Sequence, residues 1–189
     1  MKAVALIAVS LAALAGAARA QDRPAAQQIA GAVLPLPDSA RGGATVLGYQ
    51  NGRLTQLRAG HNGMICLADD PNQEGFQASC YYRTLEPFMA RGRSLRAAGI
   101  TQRHAIDSVR LAEIKRGKIV MPKVPALLSS VFSQDSTFDP LAPAPKVTTL
   151  HVIYMSYATE ASTGIPATPM KAGPWLMYAG TPWSHVMLP

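Results

Sequence analysis

Side chains able to do acid–base or ligand chemistry are sparse in this chain. Its four histidines stand at positions 61, 104, 151 and 185, and its two cysteines at 66 and 80. His61 lies in Gly60-His61-Asn62-Gly63, a turn that leads toward Cys66, with Asp69 and Asp70 close behind. Imidazole titrates near neutrality, so a carboxylate beside it would make a general acid/base pair. A hydrolase-type site drawn from His61, Asp70, His151 and His185 is one reading. Asn-Gly and Asp-Asp-Pro-Asn are equally ordinary turn chemistry. The chain has no Gly-x-Ser-x-Gly, Ser-x-x-Lys or His-Glu-x-x-His, and no glycine-rich phosphate or dinucleotide loop. No cofactor is therefore expected. Catalysis stays open, because active sites are assembled from residues far apart in sequence. His104 and Asp107 stand three apart, a spacing that suits a surface ion pair on a helix.

The C-terminal segment offers a second chemistry. If residues 182–188 form a strand, Trp183, His185 and Met187 share one face, and Trp175 and Met177 share a face on the segment before. Thioether and imidazole suit Cu(I), so a site from His185, Met187 and Met177 is conceivable. The plainer reading of alternating Met and Trp is a packed core.

Charge gives the third signal. Residues 83–123 hold ten Lys or Arg and three acids, a net of +7, whereas the rest of the chain beyond residue 20 carries −2. Arg91, Arg96 and Arg103 are the candidate anion-binding residues. A partner for them would be an anionic polymer such as an acidic polysaccharide, an envelope lipid surface, or an acidic protein. The alternative is a set of solvated helix faces. No nucleic-acid motif is present.

These residues need elements to position them. Residues 44–50 and 53–58 read as strands about Asn51-Gly52, a strong hairpin signal because both residues accept positive φ. Residues 63–68 and 76–82 read as a second strand pair. A loop centred near residue 73 sets Cys66 opposite Cys80, where a disulfide closes easily. Residues 85–98 and 101–116 read as two helices punctuated by Gly99 and Gly117, with Thr101 as a cap and Ala105, Ile106, Val109 and Ala112 as a stripe. Residues 25–33 allow a short helix. From 121 onward the chain reads as irregular and rich in proline, apart from a strand at 147–157 and two short strands in the tail. The expectation is an α+β domain: an antiparallel sheet, with an N-terminal meander and C-terminal strands, and an inserted helical pair.

The chain starts with Met1-Lys2, an uncharged apolar run and Ala18-Arg19-Ala20. That is the pattern of a cleavable signal peptide over 1–20, which leaves one domain at 21–189 and no later transmembrane segment. Two cysteines fit an oxidising compartment, periplasmic or extracellular. Together these features describe an exported protein that binds or interacts, with enzyme and copper carrier as alternatives.

Overall fold

Asn51 and Gly52 have φ of 54° and 71°. They fold β1 (Thr45–Gln50) back on β2 (Arg53–Arg58) as their sequence demands. The protein is described by a computed structural model covering residues 22–135, 138–143 and 145–189. The signal peptide expected at 1–20 lies outside the described residues.

After β2 the chain departs from a meander. β3 (Met64–Leu67) lies beside β1 and parallel to it, in the register Val46 to Cys66. The crossover is Gly60-His61-Asn62-Gly63, running beneath the start of β1. The N–H groups of His61 and Asn62 both donate to the Gly43 carbonyl, at 2.7 and 3.1 Å. Asn62 Nδ2 donates to the Ala40 carbonyl at 2.7 Å. A Cβ on Gly60 would collide with the Ala44–Thr45 backbone, so only glycine passes there.

β4 (Phe76–Tyr82) then returns antiparallel to β3, and Cys66 faces Cys80 as the spacing requires. The two are bridged, with Cα atoms 4.0 Å apart. Helices α3 (Glu86–Ala97) and α4 (Arg103–Lys115) follow. The cap of α4 is Gln102 rather than Thr101, and no side chain bonds it. β5 (Ala126–Ser133) falls in the stretch read as irregular. It pairs β4 on one side and β6 (Thr148–Tyr154) on the other. β8 (His185–Leu188) joins β6, and β7 (Trp175–Met177) closes the edge. The result is one α+β domain on an eight-stranded sheet, ordered β2-β1-β3-β4-β5-β6-β8-β7, antiparallel except for β1 and β3.

Both faces of the sheet carry core. Val46, Cys66, Cys80, Ser129, His151 and Leu188 are successive partners across six strands and share the first face. Helix α1 (Ala25–Ala32) and the turn after it, which runs into the short helix α2 (Asp38–Arg41), cover that face, with Ala32, Val33 and Leu36 packed on Val46 and the disulfide. Buried Gln28 ties α1 to β1, because its amide exchanges two hydrogen bonds with the Tyr49 backbone, at 2.7 and 2.8 Å. The second face lies under α3, where Leu85 and Met89 pack on Ile65, Tyr81 and Ala126. The tail is packed as its apolar content predicts. Leu176, Trp183 and Val186 are buried, and β8 lies against the strand expected at 147–157. Burying each such side chain stabilises the fold by ~1.5–3 kcal/mol.

Candidate functional site

The histidines and Asp70 do not gather. His61 is exposed on the crossover, and Asp70 accepts the Asn72 N–H in the β3–β4 turn. His151 is on the first face, where its Nδ1 lies 2.9 Å from Ser129 Oγ. Ser129 is buried, and no carboxylate among the described residues bonds the His151 ring. His185 faces Tyr154 across the strands, on the opposite side of the sheet. The pattern gives the hydrolase reading no common pocket.

The copper candidates share one face of the sheet. Met177 pairs with His185 across β7 and β8, and Met187 follows two residues on, all on the second face. His185 is walled by the rings of Tyr154 and Tyr178, at 4.8 and 5.7 Å. Its Nδ1–H donates to the Trp183 carbonyl at 2.8 Å, which leaves the lone pair on Nε2. Burial, ahead of nearby Arg103, holds its pKa below the ordinary value, so the ring is neutral. No group of three or more His, Cys, Asp or Glu that could hold a metal occurs among the described residues.

The arginines of α3 and α4 form the third set. The three acids of this segment are each taken. Arg91 grips Glu113 through two bonds of 2.7 and 2.8 Å, which lowers the Glu113 pKa and raises that of Arg91. Arg93 donates to Glu86 and to the Tyr81 hydroxyl, both at 2.7 Å. Asp107 stands 3.7 Å from Arg110. Arg91 is thus committed inside the helical pair, while Arg96 and Arg103 are exposed and make no hydrogen bond or ion pair among the described residues.

Arg110 differs from all of these. Its side chain is 9% exposed. The guanidinium lies over the Phe88 ring at 3.9 Å, a cation–π contact. Its Nε is buried without a hydrogen-bond partner among the described residues. Gly92, in the middle of α3, makes room for it, since a Cβ there would collide with Nη2. Glycine inside a helix costs ~1 kcal/mol relative to alanine, so the fold gives up local stability to seat this charge. Burial first, and then the like charge of Arg96, push the Arg110 pKa down to about 10. Around it stand Trp183, stacked on Phe88 at 6.0 Å with its indole N–H also buried and unpaired, and Tyr154, whose pKa burial raises to about 12. Arg96 and Arg103 stand about the turn between α3 and α4, and Arg110 lies inside the pair opposite Gly92, close enough for Arg96 to act on its charge. Two orphaned donors, Arg110 Nε and Trp183 Nε1, flank the same phenyl ring.

Arg110 is absent from the set read from sequence, although Ile106 four residues earlier already placed it on the buried face of α4. The glycine within α3 was the other available signal. Comparison with protein families, curated proteins and solved structures yields no match.

Proposed function

We propose that this is an exported binding protein whose ligand is an anion, seated on the helical pair of α3 and α4 beside Arg110. The observation that carries the reading is Arg110: a buried cation with an unpaired Nε, repelled by Arg96 and seated by a helix glycine. An unpaired buried donor is costly, and a carboxylate or phosphate oxygen would satisfy it with a charge-assisted bond. Arg96 and Arg103 would receive the rest of the ligand and speed its arrival. Export is supported by the N-terminal pattern and by the Cys66–Cys80 bridge, which suits an oxidising compartment. Among the described residues no helix is long and apolar enough to cross a membrane. An acidic polysaccharide in the periplasm or outside the cell fits a site of fixed cations beside aromatic rings.

The test is titration with an acidic polysaccharide, such as polygalacturonate, followed by tryptophan fluorescence. Trp183 beside Phe88 should report occupancy. Arg96→Glu with Arg103→Glu should abolish binding at low salt, and raised salt should weaken the parent. A double variant that binds as the parent does would overturn the proposal.

A further inference from the structure

The C-terminal end of α4 carries a different surface. Its last turn, the connection from Gly117 to Pro125, and the turn after β6 line an open groove of about 830 Å³. Ile119 and Met121 form the buried floor. Val120, Val124 and Tyr157 line the groove at 64%, 66% and 58% exposure. Large apolar side chains this bare, side by side in a concave surface, mark a place that something covers.

Tyr157 adds a second observation. It has φ of 63°, the left-handed region where a side chain is strained. Its backbone is held from several sides. The Tyr157 N–H donates to the Thr181 carbonyl at 2.8 Å, and the Gly180 N–H to the Ala158 carbonyl at 2.7 Å. Ser184, fully buried, donates to the Met155 carbonyl and accepts from the Ala158 N–H. The clamp keeps a strained residue in place, and the outcome is an aromatic ring presented to the groove.

Charge and backbone define the occupant. Lys123 lines the groove, and Arg116 and Lys118 flank its Gly117; all three are exposed and make no ion pair among the described residues. Glu113, the nearest acid on α4, is taken by Arg91. Among the described residues, the N–H groups of Val120, Lys123 and Val124 donate to no backbone carbonyl. A concave apolar wall with free main-chain donors and a cationic rim matches an extended peptide better than a flat lipid surface.

We infer that this groove docks an extended polypeptide segment of a partner protein, with apolar side chains seated against Val120, Val124 and Tyr157 and acidic ones against Lys118 and Lys123. Its exposed wall is separate from Arg96 and Arg103, which stand about the turn between α3 and α4, while its floor residues Ile119 and Met121 pack in the same cluster as Phe88 and Trp183.

Labelled peptides of about ten residues test it by fluorescence anisotropy on the intact protein. One alternates Glu with Leu and Val; one replaces Glu by Lys; one replaces Leu and Val by Ser. The acidic apolar peptide should bind, and the other two at least ~10-fold more weakly. Val124→Glu, at an exposed position, should weaken binding ~10-fold or more while circular dichroism stays unchanged. Tyr157→Gly should weaken it while leaving the melting temperature equal or higher, because the strain is relieved. Arg96→Ala with Arg103→Ala, at exposed positions about the α3–α4 turn, should leave it unchanged, so failure here is distinct from failure of the anion site. Equal binding of the three peptides, or no binding of the acidic one at about 1 mM, overturns the proposal. It is also overturned if anionic phosphatidylglycerol vesicles bind through Val124 and the acidic peptide does not.

Discussion

Replacing Arg110 by Met separates a residue kept for binding from one kept for stability. Burial, and then the like charge of Arg96, push the guanidinium pKa from 12.5 to about 10, so the site disfavours the charge. At ~1.4 kcal/mol for each tenfold, the unfavourable balance is ~3 kcal/mol. Methionine keeps an aliphatic stem in the slot and removes the charge. It forfeits the contact with Phe88, worth ~1–2 kcal/mol; the pair with Asp107 is already contained in that balance. The balance is a protein ~1–2 kcal/mol more stable, which for a domain of this size raises Tm by ~2–8 °C. Anion affinity should fall at the same time by ~10–100-fold, the worth of one charge-assisted bond. Urea unfolding and polysaccharide titration on the same sample read both quantities. Gly92→Ala gives the coupling: it should destabilise the parent by ~1–3 kcal/mol by overpacking Arg110 and be harmless in the Arg110→Met background. A Met variant that loses more than ~2 kcal/mol and keeps its affinity would show that Arg110 is structural and would sink the argument.

The disulfide closes a loop with a sequence separation of 14, so Cys66→Ala with Cys80→Ala should cost ~3 kcal/mol, seen as a Tm lower by ~6–12 °C; an unchanged Tm contradicts this. His185 has its folded pKa below the unfolded value of ~6.5, so the unfolded chain binds the extra proton. Stability should be complete above ~pH 7 and fall as pH drops below ~6.5, by at most ~1.4 kcal/mol per pH unit, and His185→Gln should flatten this window in urea melts recorded from pH 7.5 to 5. Deleting residues 174–189 removes β7, β8 and buried Leu176, Trp183 and Val186, and should leave a chain without a cooperative melt; a soluble truncation with the parental Tm would refute the packing.

Where structure is local, the sequence shows it. Asn51-Gly52 fixes β1 and β2, and the spacing of Cys66 and Cys80 fixes the β3–β4 register, since each depends on residues a few positions apart. β5 hides because its pattern is broken by serines. Ser129 and Ser130 point to opposite faces, and each is satisfied by a cross-strand partner, His151 Nδ1 and Ser79 Oγ. Those partners lie 22 and 51 residues away, so nothing near β5 announces that its hydroxyls can be buried. The parallel placement of β3 depends on Gly60 slipping under Ala44 and Thr45, a contact that turn chemistry alone does not reveal. The charge excess on the helical pair was legible, but its division was not. Pairing of Arg91 with Glu113 and of Arg93 with Glu86 leaves the free cations at the two ends of α4, and only folding makes that division.

The central claim is that Arg110 Nε–H and Trp183 Nε1–H await an anion. Both protons give resolved nitrogen–proton correlations in NMR. Titration with polygalacturonate should shift these two signals together, downfield and saturably, with the same midpoint as the fluorescence change, as new hydrogen bonds form to an acceptor. Shifts confined to exposed backbone amides, with Arg110 Nε–H and Trp183 Nε1–H unmoved at saturation, would contradict the account.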